Sequence, residues 1–320
     1  MLNPWVIGAD LGGTKIELGL VDPENQVVAR RRIATEAEKG PDHVVNGIAG
    51  SVGDLRAALP SGAKIAALAI CSPGPLDHES GVLMDPPNLR GLHNTPLRQM
   101  LEDRLQMPVA LEHDAKAAAL GELNFGAGRG ASSMVYIVVG TGVGAAIILD
   151  GNMVRGEHNF AGEVGHITID RYGELCHCGS RGCAETFISG PSLAKRYRQA
   201  MENEGSAVDA RPISGEFVSE LAAQGDHLAE TVMQAAGEAL GLVVASLAMT
   251  VNVDLYVIGG SVVNAGDLLL EPARRTVPHY TFQSVGDNVR IVAAGLGGVG
   301  PVLGCAWLAR QIDQEDLLQK

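Results

Sequence analysis

Two similar strand–turn–strand segments constrain the fold of this 320-residue chain more than any other feature. The first reads WVIGAD-LGGTK-IELGLVD from residue 5, and the second reads MVYIVVG-TGVG-AAIILDG from residue 134. β-Branched and other apolar residues flank both glycine turns, so each segment predicts two buried strands joined by a hairpin. The two segments lie about one domain apart, which indicates an internal duplication.

The hairpin reading excludes two common nucleotide-binding designs. A dinucleotide-binding glycine motif must open a helix, whereas the residues after both turns here are strand-like. Neither turn has the G-x-x-x-x-G-K-[ST] spacing of a phosphate-binding loop of the Walker type.

The rest of the chain alternates apolar β-rich runs with segments of helical period. Helices are predicted at residues 44–59, 96–105, 115–124, 191–202, 227–251 and 299–312. Further strands are predicted at residues 65–71, 109–111, 255–258 and 289–293. This alternation is typical of the α/β class, and the length favours two domains.

Glycine turns of this kind can bind phosphates, because a residue without a side chain lets a ligand approach the backbone N–H groups. The hydroxyls of Thr14 and Thr141 stand in the two turns, and Asp10 at a strand end is placed to hold Mg²⁺ through water. The alternative is that both turns are simply tight hairpins. The matched pair favours the phosphate-binding interpretation.

The charge balance limits the partners that we expect. The formal net charge is −13 and no block of lysine or arginine occurs, which argues against nucleic acid or an anionic membrane surface as a partner. The N-terminus lacks a basic region followed by an apolar stretch, so no secretory signal is predicted. The uncharged run at 131–149 is explained by two buried strands and not by a membrane span. We therefore expect a cytoplasmic protein.

Four potential metal ligands cluster in GHITIDRYGELCHCGSRGCAE, which begins at residue 165. A disulfide between Cys176 and Cys178 would strain a three-residue loop, and a C-x-x-C redox motif is absent. His166 with the three cysteines supplies the ligands that tetrahedral zinc prefers, with no open position. The segment thus indicates a structural zinc site formed by His166, Cys176, Cys178 and Cys183, while Cys71 and Cys305 are expected in the core.

Asp114 follows a predicted strand and begins an alanine-rich predicted helix. From its position it is either a capping aspartate or a catalytic base. The residues alone leave both possibilities open.

Taken together, DLGGTK, GTGVG, AGEVGH and CHCGSRGCAE resemble the ROK family of sugar kinases and sugar-responsive repressors, over residues 6–309. The resemblance implies an α/β fold of two actin-like (ribonuclease H-like) domains around a cleft for nucleotide and sugar. It implies one domain at residues 1–113, completed by residues 304–320, and a second domain at residues 114–303. The second domain contains the zinc loop, residues 165–185, which carries the four metal ligands. It also implies ATP and Mg²⁺ as cofactors beside structural Zn²⁺, and a homodimer as the assembly.

The same resemblance assigns roles to particular residues. Asp114 becomes the catalytic base, although the usual NDAN is replaced by His113, Asp114, Ala115 and Lys116 in this chain. His113 remains able to donate to a sugar hydroxyl, and Lys116 either lowers the basicity of Asp114 or contacts a phosphate. The other sugar-binding residues implied are Asn88, Glu163, His166 and Glu185. The nucleotide-binding residues implied are Asp10, Gly12, Gly13, Thr14, Lys15, Gly140, Thr141, Gly142, Gly259 and Gly260.

The sequence therefore predicts ATP-dependent phosphorylation of a hexose at its primary hydroxyl, with glucose as the first choice. N-acetylglucosamine, N-acetylmannosamine, mannose and fructose stay open, since one side chain can decide between such sugars. A sugar-sensing regulator is disfavoured, because no helix-turn-helix precedes the strand at Trp5. A sugar-binding protein without catalysis is disfavoured by the retained Asp114.

Overall fold

The computed structural model describes residues 3–205 and 213–318, with side chains up to residue 312. Residues 1–2, 206–212 and 319–320, which the predicted domain bounds include, lie outside the described residues. The chain forms two compact units, Met1–Arg129 with Gly298–Lys320 and Gly130–Gly297. The first unit continues to Arg129, and the predicted domain boundary after His113 stays a prediction.

A five-stranded mixed sheet forms the centre of the first unit, with the strand order β3-β2-β1-β4-β7. Its strands are β1 (Trp5–Leu11), β2 (Lys15–Val21), β3 (Val27–Ala34), β4 (Ile65–Ser72) and β7 (Val109–His113). β1 pairs antiparallel with β2 and parallel with β4, which pairs parallel with β7. The carboxyl ends of β1, β4 and β7 therefore meet at one edge of the sheet. A small separate ribbon pairs β5 (Leu76–Asp77) with β6 (Val82–Leu83).

Helices pack against the first sheet, and apolar side chains fill the space between them. These helices are α1 (Pro41–Arg56), α2 (Leu97–Leu105), α3 (Asp114–Phe125) and α10 (Gly300–Leu318). α10 approaches β1 so closely that a Cβ atom on Gly8 would lie 1.9 Å from the carbonyl oxygen of Val302. A Cβ atom on Gly304 would lie 1.7 Å from the carbonyl oxygen of Ala117, in α3. Glycine at these positions lets backbones pack where any side chain would clash.

The second unit repeats the same sheet plan, with the order β10-β9-β8-β11-β12. Its strands are β8 (Met134–Val139), β9 (Val143–Leu149), β10 (Asn152–Val154), β11 (Leu255–Gly259) and β12 (Arg290–Ala293). Three consecutive antiparallel strands are again followed by two parallel ones. The internal duplication predicted from the two hairpins thus appears as a shared strand order.

The helices of the second unit are α4 (Glu185–Ile188), α5 (Gly190–Asn203), α6 (Gly215–Ala223), α7 (His227–Val251), α8 (Asp267–Thr276) and α9 (Gln283–Gly286). Among the described residues, α7 alone is long and apolar enough to span a membrane, yet 67% of its most apolar window is buried within the structure. Burial of this kind is typical of a core helix. α7 lies in the apolar core with side chains of β8, β9 and β11.

Candidate active site and metal centre

Asp10 stands near the carboxyl end of β1, in register with Cys71 of β4, which is in turn in register with Glu112 of β7. The Cys71 thiol donates to Asp10 Oδ1 at 3.6 Å. Burial, reinforced by the negative charge of Asp114, raises the pKa of Asp10 to about 6. The charge of Asp114 therefore acts on Asp10 across this edge of the sheet.

Asp114 is the first residue of α3, so the N-cap residue is His113, one residue earlier than the predicted cap. Asp114 Oδ1 lies 2.6 Å from the Ala115 N–H and 2.9 Å from His113 Nδ1. The Asp114 side chain is nevertheless 42% exposed. One carboxylate thus supports the helix start and remains accessible to a ligand.

Lys116 does not have the environment that contact with a phosphate requires. Its side chain is buried, with 3% of the residue exposed, and the chain also buries Glu112 and Glu122. A buried ammonium group needs compensating partners and does not reach a ligand in solvent. Contact between Lys116 and a phosphate is therefore excluded in this structure.

The first glycine turn is closed by hydrogen bonds within the first unit. The Gly12 N–H donates to the Lys15 carbonyl at 3.0 Å, and the Thr35 hydroxyl donates to the Gly12 carbonyl at 2.7 Å. Gly13 and Thr14 are exposed at the tip of the turn. The buried Thr35 is a supporting residue that sequence reasoning missed, since it lies outside every recognised motif.

The turn also lies against Asn88, one of the predicted sugar-binding residues. A Cβ atom on Gly13 would stand 2.8 Å from the Asn88 carbonyl oxygen. Lys15, by contrast, directs its ammonium group to Glu17 at 2.6 Å. The structure therefore brings Gly13 and Asn88 together, while Lys15 is engaged with a neighbouring carboxylate.

The second glycine turn is held by two different contacts within the second unit. The Gly190 N–H, at the start of α5, donates to the Gly140 carbonyl at 2.8 Å. The Val143 N–H donates to Glu185 Oε2, also at 2.8 Å. Thr141 and Gly142 remain exposed.

Gly259 ends β11 directly beside the end of β8, and Gly260 follows it. Gly259 is in register with Val138, and a Cβ atom on Gly260 would stand 2.1 Å from the Val139 carbonyl oxygen. Gly260 also has φ of +92°, a conformation that favours glycine. The structure thus places these two predicted nucleotide-binding glycines next to Gly140, which follows Val139.

The loop that carries Glu163 and His166 runs along the start of β9. The Ala145 N–H donates to the Gly162 carbonyl at 2.7 Å. Glu163 is exposed and His166 is half-buried. This pairing sets both predicted sugar-binding side chains beside the strand that follows the second glycine turn.

The four predicted metal ligands come together in the second unit. The ligand atoms of His166, Cys176, Cys178 and Cys183 all lie within 4.8 Å of one another. Cys176 Sγ lies 3.7 Å from His166 Nδ1, and Cys178 Sγ lies 3.6 Å from Cys183 Sγ. Three sulfur atoms and one imidazole nitrogen at these separations fit a tetrahedral zinc ion.

The surroundings of the thiols fit the same interpretation. The Ser180 backbone N–H lowers the pKa of Cys178, whereas burial raises the pKa of Cys183 to about 12. A thiol as buried as Cys183 stays protonated near neutral pH unless a cation replaces its proton. The donor set therefore suits a metal ion better than a group of free thiols.

His177, between two of these cysteines, was not among the predicted site residues. Its Nδ1 lies 3.2 Å from Glu185 Oε1, and its ring makes an edge contact with the His166 ring at 5.3 Å between centroids. The only signal in the sequence was its position inside the zinc loop.

Comparison with known proteins gives consistent similarities over nearly the whole chain. The model of the ROK family matches residues 6–312. The glucokinase of Halalkalibacterium halodurans is 32% identical, over 100% of this chain and 98% of the relative.

Solved structures share the fold, and two of them show the range of functions. A ROK family glucokinase from Streptomyces griseus, in complex with glucose and AMPPNP, has a TM-score of 0.79 at 33% identity, covering 96% of this chain and 99% of that one. A ROK family transcriptional regulator, a homologue of the E. coli MLC protein, has a TM-score of 0.88 at 26% identity, covering 99% of this chain and 80% of that one. The predicted actin-like α/β class is confirmed by these similarities.

Proposed function

Because the chain belongs to the ROK family, we propose that it catalyses the ATP-dependent phosphorylation of glucose at its primary hydroxyl. The observation that carries this proposal is the accessible carboxylate of Asp114, held at the start of α3 beside the half-buried Asp10. Similarity to glucokinases at about one-third identity supports the choice of glucose.

In the proposed reaction, Asp114 accepts the proton of the primary hydroxyl as the hydroxyl oxygen attacks the γ-phosphorus. The bond from that phosphorus to the bridging oxygen breaks, and ADP leaves. A positioned base of this kind contributes roughly 10²- to 10⁴-fold to a rate. His113 Nδ1, 2.9 Å from Asp114 Oδ1, orients the carboxylate, and its ring remains near enough to meet a sugar hydroxyl.

Asp10 is the proposed carboxylate for Mg²⁺, held through water. A hard cation prefers oxygen ligands, and a carboxylate whose ionised form is disfavoured by burial gains from a cation nearby. When bound, Mg²⁺ would neutralise charge on the phosphate oxygens. The exposed Gly13, Thr14, Thr141 and Gly142 would donate to phosphates, and Gly259 and Gly260 would lie against the adenosine.

Zn²⁺ is the proposed occupant of the four-ligand site, with a structural role. The ligands leave no open position, so we assign the ion no step in the reaction. It would tie the loop that carries Glu163 and His166 to the segment that carries Glu185, through Cys183. We also propose that the protein forms a homodimer and is located in the cytoplasm.

A second candidate is a sugar-binding protein that acts as a sensor. The high TM-score with a transcriptional regulator favours keeping it, because regulator and kinase share this fold. Turnover separates the two candidates: a sensor binds sugar and releases no ADP.

The test is ADP release from Mg-ATP with glucose, mannose, fructose, N-acetylglucosamine and N-acetylmannosamine, beside calorimetric binding of each sugar. Fast ADP release with glucose, and slower release with the others, supports the proposal. Release with a different sugar retains the kinase and replaces the substrate. Sugar binding without ADP release favours the sensor.

A further inference from the structure

The side chain of Glu185 is held from two opposite directions. Its Oε2 accepts the Val143 N–H at 2.8 Å, and its Oε1 lies 3.2 Å from His177 Nδ1. The Glu185 side chain is 13% exposed, whereas that of His177 is 74% exposed. One oxygen is thus bound by a strand and the other by an imidazole at the surface.

The strand contact alone does not fix the carboxylate. A single hydrogen bond to Oε2 leaves the carboxylate plane free to pivot about the axis of that hydrogen bond. Pairing of Oε1 with His177 restricts this rotation. Groups held in their binding geometry before a ligand arrives lose less freedom on binding.

His177 is itself well placed to act as a fixed support. Its backbone lies between Cys176 and Cys178, in a turn closed by a 2.7 Å bond from the Cys176 N–H to the Ser180 carbonyl. Its ring also contacts the His166 ring, at 5.3 Å between centroids. The imidazole therefore projects from a loop of restricted conformation toward two of the proposed sugar-binding residues.

We propose that His177 is a positioning residue for sugar binding: its Nδ1–H holds the Glu185 carboxylate in the orientation in which that carboxylate accepts a sugar hydroxyl. The inference deepens the proposed function and rests on it. It adds to the zinc loop a second task, since the same loop that binds the metal supports the sugar-binding carboxylate.

The test compares His177→Ala, His177→Asn and His177→Gln in the zinc-loaded protein. For His177→Ala we expect the dissociation constant for glucose, measured by calorimetry without ATP, to rise about 3- to 10-fold. KM for glucose should rise in parallel, with kcat within about twofold, because the reacting groups are untouched. Zinc content, measured by mass spectrometry, should not change.

The two amide variants make the test specific. The Asn amide nitrogen stands where Nδ1 stands on an imidazole, so His177→Asn should restore most of the affinity. The Gln amide extends beyond that position and should restore little. In a Glu185→Ala background, His177→Ala should add no further loss, since its partner is gone.

His43→Ala is the matched control, because it removes another surface histidine–glutamate pair, with 2.9 Å between His43 Nε2 and Glu36 Oε2. It should leave glucose affinity unchanged. If His177→Ala binds glucose with the dissociation constant of the native protein, this inference is overturned and the proposed function is not. Loss of zinc from both His177→Ala and His177→Asn also overturns it, because the effect is then on the fold of the loop. A native protein that binds none of the five sugars overturns the proposed function and this inference together.

Discussion

Asp10 and Asp114 lie at the same edge of one sheet, and the charge of Asp114 is the second cause, after burial, of the raised pKa of Asp10. The Asp114 side chain is 42% exposed, whereas Asp10 is half-buried and its burial raises its pKa. Two neighbouring acids in different environments are suited to different tasks. The proposed base is the accessible Asp114, and the proposed magnesium ligand is the half-buried Asp10, whose pKa burial raises.

Replacement of Asp10 by Asn should stabilise the protein in the absence of ligands. A raised pKa of about 6 means that the ionised carboxylate is unfavourable in the folded state. A shift of about two pKa units corresponds to roughly 3 kcal/mol at most, and we expect about 1–3 kcal/mol at pH 8. The measurement is the midpoint of thermal unfolding, which should rise by about 2–8 °C.

The sign of the pH dependence gives the control for this prediction. The cost of ionised Asp10 is fully present above its folded pKa and declines as the pH falls toward 4, where the folded protein holds the proton. The advantage of Asp10→Asn should therefore shrink between pH 7 and pH 4. The same change at the exposed Asp287 should give no such trend. An equal advantage at pH 8 and pH 4 contradicts the assignment.

Replacement of Asp114 by Asn should remove most of the catalysis and little of the binding. Asn keeps an oxygen for the Ala115 N–H, 2.6 Å from Oδ1, so the start of α3 is preserved. It accepts no proton at neutral pH, and kcat should fall by about 10²- to 10⁴-fold. KM for glucose should stay within a few-fold of the native value, and Asp103→Asn serves as the exposed control. A variant with more than about a tenth of native kcat would mean that Asp114 is a helix-start residue only.

Removal of one cysteine ligand should release the metal. Native protein purified without chelators should contain about one zinc ion per chain, and Cys178→Ser should contain far less. Cys178 is exposed, so its replacement leaves the core intact. The glucose affinity of the variant should fall together with its zinc content. Cys71→Ala, which changes a cysteine outside the cluster, should retain the zinc. Zinc bound equally well by Cys178→Ser would argue against these four ligands.

Replacement of Tyr256 by Phe should stabilise the second unit. The Tyr256 hydroxyl has no hydrogen-bond partner among the described residues, and the residue is fully buried. Burial also raises the pKa of Tyr256, as expected for a phenol shielded from water. Removing an unsatisfied buried hydroxyl should add about 1–2 kcal/mol to the free energy of unfolding.

Tyr197 offers the opposite case, because its hydroxyl donates to Asp226 Oδ2 at 3.1 Å. Tyr197→Phe should therefore lower the free energy of unfolding by about 1 kcal/mol. Denaturant unfolding of both variants checks the pair. Equal effects of the two substitutions would show that the hydrogen bond does not decide the sign of the change in the free energy of unfolding.

Local patterns predicted the parts of the structure that depend on near neighbours. The two hairpins follow from β-branched runs around glycine turns, and the four predicted metal ligands lie within a segment short enough for its spacing to bring them together. α3 also begins within one residue of its predicted start.

Contacts between distant segments were not predictable in the same way. Lys116 sits in a helix whose local pattern does not show that its ammonium group is buried. The closure of the first glycine turn by Thr35 depends on the pairing of β2 with β3, far along the chain from Gly12. The contact of His177 with Glu185 depends on how the zinc loop folds back. Each of these follows from tertiary packing, which periodicity does not describe.

The close packing of α10 on β1 has a consequence for the order of events during synthesis. β1 leaves the ribosome early, but α10, which covers Gly8, is made only after the whole of the second unit. Until then the nascent first unit exposes an apolar sheet face, which is the kind of surface that chaperones bind and that aggregates form from. The second unit is continuous in sequence and has no such delay. On the ribosome, the half of the molecule that is translated second is therefore the half that is able to complete its fold first.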